Sequence, residues 1–200
     1  MPSDDPYGRF LNEFLEPVRD ASEAPIDTSS HQSLEIGQFM EQFAGASFRE
    51  GLYRVHSATT LAQVVEGFTF GFPAYAEQVL LFGYDWLGRQ FGLPTSDPSG
   101  SQPRVILFEP GVGKAFDIPA NLQSFHNDVL VNQADAALAT SLFADWKMAH
   151  PETIPIGLND CAGYRVPLFL GGKDTVENLE IIDCSVYWYL TGQLIRRHLA

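Results

Sequence analysis

Val79-Leu-Leu-Phe-Gly-Tyr-Asp-Trp-Leu-Gly-Arg-Gln-Phe-Gly-Leu93 holds two strand-like runs, 79–84 and 89–93, on either side of Asp85–Gly88. Apolar and aromatic runs bounded by Asp and Gly predict a hairpin. After a loop of Ser, Pro, Asp, Gly and Gln at 95–103, the pattern repeats: 105–109 and 115–118 flank the turn Pro110-Gly-Val-Gly113, a second hairpin. Upstream, 51–56 reads as a strand, and Ser57 is placed to cap a short helix carrying Leu61, Val64 and Val65. Outside this block the period changes to that of helices. Tyr7, Phe10, Leu11, Phe14, Leu15 and Val18 recur at i, i+3, i+4 until Pro17 interrupts, and 21–33 reads as a linker. Leu34, Ile36, Phe39, Met40 and Phe43 form a second helical face that stops at Gly45. Residues 124–146 read as one helix, with Phe125, Val129, Leu130, Leu138, Leu142 and Phe143 inward. Residues 161–170 read as extended and closed by Gly171-Gly172. Asp183 is placed to cap a last helix with Val186, Tyr187, Leu190, Leu194 and Ile195 inward, its dipole met by Arg196, Arg197 and His198. Helices, then an antiparallel meander, then helices is an α+β order, not the βαβ alternation of a doubly wound nucleotide-binding sheet. The expected division is an acidic helical extension at 1–45 and a single α+β domain at 46–200.

The 200 residues carry 12 Lys+Arg against 25 Asp+Glu, a formal charge of -13. The first 50 residues hold 10 of the acids and 3 of the bases, net -7. A binder of phosphate backbones or anionic membranes needs a basic face, which this chain does not offer. No apolar run approaches a membrane span, and MPSDDPYGRF is unlike a signal peptide, so the expected location is the cytoplasm. Cys161 and Cys184 match no metal or disulfide framework and are expected as half-buried thiols in a reducing compartment.

Motifs for chemistry fail one by one. Pro110-Gly-Val-Gly-Lys114 lacks the first Gly and the final Ser/Thr of a phosphate loop. The five histidines are too far apart in sequence to pair as ligands; His126, in His126-Asn-Asp128, is expected at a helix start in a capping or surface role. There is no GxSxG elbow and no cysteine nucleophile signature. No metal, no cofactor and no catalytic residue is expected. The unusual stretch is Asp85–Phe91, with a carboxylate, an indole and a guanidinium in one tight turn. It reads either as an Asp85–Arg89 pair bracing the hairpin under Trp86 or as an anchor for a partner.

Several strings together resemble a known family: 51–54 (GLYR), 84–91 (YDWLGRQF), 108–111 (FEPG), 125–127 (FHN), 163–172 (GYRVPLFLGG), 176–180 (VENLE) and 186–188 (VYW) with Gln193. They are similar to the C-terminal domain of immunity proteins that protect bacteria from their own type VI secretion DNase effectors, a domain that often follows a GAD-like domain. The resemblance covers about residues 45–195. More weakly, 79–131 resembles the SMI/KNR immunity superfamily, so an SMI/KNR-like fold is expected. The N-terminal 45 residues are shorter than a complete GAD-like domain.

The resemblance implies a non-enzymatic protein that binds and occludes a cognate toxin, a nuclease, and is monomeric when free. It gives structural importance to Asp85, Gly88, Gln90, Gly163, Tyr164, Pro167, Gly171, Gly172, Glu177, Asn178, Tyr187 and Trp188. The expected contact site is Trp86, Arg89, Glu109 and Gly111, with Glu13, Glu16, Asp20 and Glu23 steering a cationic partner. The alternatives are a regulatory interaction module without a toxin and a small ligand-binding domain or enzyme using a pocket near Trp86 and Arg89.

Overall fold

The computed structural model describes residues 5–15, 17–19, 23–28, 34–96 and 104–199. Seven strands form one antiparallel sheet in chain order: β1 (Val18–Arg19), β2 (Ala46–Phe48), β3 (Tyr53–Val55), β4 (Val79–Asp85), β5 (Gln90–Pro94), β6 (Val105–Glu109) and β7 (Lys114–Ile118). Both hairpins expected from the sequence are present: β4 pairs with β5, Tyr84 opposite Gln90, and β6 pairs with β7, Glu109 opposite Lys114. A two-stranded sheet, β8 (Asp160–Tyr164) with β9 (Leu179–Asp183), stands beside it.

Period-two alternation along the strands sends side chains to two separate cores. Phe48, Tyr53, Phe82, Phe91 and Leu107 face a core filled by α1 (Gly8–Phe14), α2 (Leu34–Phe43) and the 122–149 helices. Leu81, Ile106 and Phe108 face a second core under α3 (Ala58–Gly71) and α8 (Cys184–His198). Helices thus cover both faces of the antiparallel sheet, and the fold is α+β. Tyr7, Phe10 and Phe14, from the segment expected as an extension, are buried in the first core beside Phe48 and Tyr53.

Capping chemistry is legible at both long helices of the second core. Ser57 and Thr60 form a reciprocal capping box at α3. Asp183 accepts the amides of Ser185 and Val186 at α8. The two helices touch backbone to backbone. A Cβ on Gly67 would meet Trp188 C at 2.4 Å, and one on Gly192 would meet Gly67 O at 2.1 Å.

Four expectations are corrected. Residues 124–146 do not form one helix. A short α4 (Leu122–Ser124) runs into a π-turn at Phe125–Val129, then α5 (Leu130–Asn132), α6 (Ala134–Leu138) and α7 (Thr140–Ala149). The break before α7 is Ala139, left-handed at φ 50° and ψ 49°, and Asp135 Oδ1 stitches across it by accepting from Ser141 N and Thr140 Oγ1. Residues 161–170 are extended only to Tyr164; 168–170 form a 3-10 turn. Val186 and Leu190 of α8 face outward, because Cys184, Tyr187, Trp188, Thr191 and Ile195 make the buried stripe. Both cysteines are buried, not half-buried.

Candidate functional site

The Asp85–Gln90 turn is tied to its surroundings by several buried hydrogen bonds. Gly88, at φ 76°, lets the chain reverse, and a Cβ there would meet Cys161 Sγ at 2.9 Å. The Asp85 carboxylate sits wholly inside. Its Oδ1 accepts the amides of Leu87 and Arg89, both at 3.0 Å, and its Oδ2 accepts Arg89 Nε at 2.7 Å and Nη2 at 2.6 Å. Burial pushes this carboxyl up from its ordinary value, and Arg89 pulls against burial. Four donors converge on the group, so only the ionised form satisfies the geometry. Desolvation alone would lower Arg89; the carboxylates of Asp85 and Glu109 outweigh it and raise the guanidinium further. Glu109 lies on the other side of Arg89, 3.4 Å from Nη1, and burial raises it above the usual carboxylate range.

The rest of the turn ties the sheet to its surroundings. Trp86 is fully buried; its indole donates to Leu138 O at 2.8 Å and its carbonyl accepts Ala162 N at 2.8 Å. Arg89 Nη2 donates to Ala137 O, and Trp188 Nε1 donates to Gly88 O at 2.7 Å. The hairpin therefore clamps α6, β8 and α8 at once. The expected Asp85–Arg89 brace is what the structure contains, and Trp86 offers no surface to a partner.

Gln90 extends the network. Its amide nitrogen donates to Gly88 O, which turns its carbonyl oxygen to His56 Nε2 at 2.6 Å, and His56 Nδ1 meets Thr60 Oγ1 at 3.0 Å. Arg54 was not singled out from the sequence, yet it is fully buried. It donates to the carbonyls of Asp85, Gly157 and Asp160 while stacking over Tyr84 at 4.4 Å. A cation inside the otherwise apolar run 52–55 was the available signal. His126, expected at a cap or on the surface, is instead fully buried in the π-turn, between Leu122 O at 2.7 Å and Tyr53 Oη at 2.9 Å.

Burial lowers His56 to about 4 and His126 to about 3. Both are neutral in the fold, but the unfolded chain takes up protons below about pH 6.5. Stability is therefore lost as pH falls, by up to about 1.4 kcal/mol per pH unit for each histidine. Asp85 and Glu109, raised by burial, act in the opposite sense, so the variant comparison isolates the imidazole. Between pH 7.5 and 5, urea unfolding of His126→Gln should show a stability loss about 2 kcal/mol smaller than that of the parent. Equal losses would mean that His126 is not held neutral.

The remaining family strings build a second clip. Asn178 accepts Val166 N and donates to the carbonyls of Val166 and Lys173. Tyr164 donates to Asp174 at 2.6 Å. The Pro167 carbonyl accepts the amides of Leu170 and Gly172, Gly171 turns at φ 89°, and a Cβ on Gly172 would meet Val166 O at 1.8 Å. Gly163 and Gly111 give way to the rings of Tyr187 and Tyr164. Glu177 is exposed, and the Thr175 hydroxyl lowers its carboxyl.

A cavity of about 280 Å³ opens over Arg89, walled by Leu87, Glu109, Asp135, Ala139, Tyr164 and Asp174. A second, apolar groove of about 650 Å³ runs between Phe14, Leu15, Val18, Arg49 and the 155–158 segment. Neither is lined by a histidine or a cysteine. Among the described residues no group of three His, Cys, Asp or Glu side chains could hold a metal ion. Of the expected steering acids, Glu13 is exposed and paired with Arg49 at 2.6 Å, Glu23 is half-buried, and Glu16 and Asp20 lie outside the described residues. No described helix is long and apolar enough to cross a membrane.

Residues 120–195 match the family model of the T6SS immunity protein Tdi1, C-terminal, and over that segment the resemblance drawn from the sequence is borne out. The chain also superposes on the crystal structure of Atu4351 from Agrobacterium tumefaciens, with TM-score 0.61 and 12% identity over 94% of this chain and 88% of that one. At that identity the likeness concerns the fold alone. No curated protein matches the sequence.

Proposed function

We propose that this chain is an immunity protein, without enzymatic activity, that binds a cognate type VI secretion effector in the cytoplasm and occludes it. The match of residues 120–195 to the Tdi1 C-terminal family carries the reading. Two observations support it. The turn with the chain's most reactive-looking side chains is committed to holding β4, β5, α6 and α8 together, which suits a binding scaffold better than a catalyst. The formal charge of -13 suits rapid encounter with a cationic protein such as a nuclease. Glu13, Glu16, Asp20 and Glu23 steer that encounter, and the rim at Arg89, Glu109 and Gly111 contributes contacts.

The direct test is co-expression with the effector encoded beside this gene. Cells should survive only when the protein is present, and the two should co-purify. Raising salt from about 50 to about 500 mM should slow association far more than it speeds dissociation, as the Debye length shortens about threefold. Cell death with the protein present and folded, and no effector in pull-downs, would replace this reading with that of a regulatory module.

A further inference from the structure

The outer face of α8 stays largely open among the described residues, with Phe70 of α3 at its edge. Val186, Tyr189, Leu190, Gln193 and Arg197 recur at i, i+3, i+4, i+7 and i+11, one stripe of a helix. Its apolar members are open: Val186 is 45%, Tyr189 42% and Leu190 52% exposed. Phe70 of α3 adds its ring, 5.7 Å from Tyr189 and beneath the Arg196 guanidinium at 5.2 Å. A hollow of about 570 Å³ lies along Leu190, Gln193, Leu194, Arg196 and Arg197. Single exposed apolar residues are ordinary, but a contiguous stripe with a charged rim has the composition of an interface.

The charge says which kind of occupant fits. Arg9, Arg49, Arg89, Lys147 and Arg165 each pair with a carboxylate. Arg196 and Arg197, like Arg19, Arg104, Lys114 and Lys173, pair with no acid among the described residues, but they alone are adjacent in sequence. The helix dipole accounts for cations at this end of α8, but not for the apolar stripe leading up to them. The complementary surface is apolar with an acidic edge.

We infer that the outer face of α8 is a docking surface for an amphipathic helix of the effector, whose apolar stripe lies on Val186, Tyr189 and Leu190 and whose carboxylates meet Arg196 and Arg197. The inference rests on the proposed immunity reading and deepens it by placing the apolar centre of the interface. A partner gripped here by acidic residues is held away from its own cationic, nucleic-acid-binding face. The acidic N-terminal segment remains available to approach that face.

The test uses the full chain and the co-expressed effector, with affinity read by calorimetry. Leu190→Asp changes an exposed side chain, so circular dichroism and melting should match the parent. Its dissociation constant should rise about 100-fold, as for a central apolar anchor. Arg196→Glu/Arg197→Glu should weaken binding about 10-fold and lose part of its salt dependence. Parental affinity in both variants, with wild type still binding, would overturn the inference and leave the immunity reading standing. A wild-type dimer in ultracentrifugation that Leu190→Asp dissolves would overturn it in favour of a second copy. Failure of wild type itself to bind the effector would remove the immunity reading and this inference together.

Discussion

Arg89→Ala should destabilise the fold by about 3–5 kcal/mol, because it strips the cation from a buried carboxylate and leaves that charge in place. The pair is nearly dry: the Arg89 side chain is 8% exposed and that of Asp85 0%. Two further losses accompany the charge. Ala137 O loses a donor, and Glu109 loses its cation. A surface ion pair at the same spacing would be worth under about 1 kcal/mol, so the size of the effect separates a buried clamp from a surface pair. Replacing both partners should cost less than the sum of the single changes, since no orphan charge then remains. Urea unfolding with an unchanged m-value reads the difference directly. A loss below about 1 kcal/mol for Arg89→Ala would show that the turn is held by its backbone bonds alone.

Gly192→Ala should be almost as damaging, against the local preference of the residue. In the middle of a helix, Ala is favoured over Gly by about 1 kcal/mol. Here the new methyl group would lie 2.1 Å from Gly67 O, and the obstacle is backbone, which no rotamer change relieves. α3 and α8 would have to move apart by about 1 Å, loosening Trp188, Phe68 and Phe72 over Phe108 together. Overpacking of this kind costs about 3 kcal/mol after the helical gain is subtracted. Gly171→Ala probes a different cost: it meets nothing within 4 Å and strains only its φ of 89°, so it should lose about 1 kcal/mol. Melting curves of the two variants separate steric contact from backbone strain.

The Tdi1 match begins at residue 120, after the meander, and runs through Ile195. The segment therefore includes α8 up to Ile195 and the Asn178 clip but not the Asp85 turn. Yet the turn hangs from that segment by Ala137 O, Leu138 O, Ala162 N and the Trp188 indole. The turn and the matched segment are thus one bonded unit.

Both hairpins, the caps at Ser57 and Asp183 and the Gly45 stop were legible in the sequence, because each depends on residues within four positions of one another. The Asp85–Arg89 pair was legible for the same reason: the turn that joins them is four residues long. Acidic bias and the lack of any nucleophile or ligand motif needed no coordinates either. What the sequence could not reveal is which of two helical phases faces inward. In α8 an apolar stripe through Val186 and Leu190 competes with one through Tyr187, Trp188 and Ile195. Periodicity does not separate them; the decision belongs to Gly192, whose missing side chain lets the α3 backbone at Gly67 and Gly71 approach on that side. Burial of His126 and Arg54 was hidden for a related reason. A polar side chain enters a core only where distant carbonyls and hydroxyls stand ready, and Leu122 O, Tyr53 Oη, Gly157 O and Asp160 O are gathered there by the fold. Local chemistry thus determined the elements and their turns, while long-range satisfaction of buried polar groups and close backbone contact decided which faces turn inward.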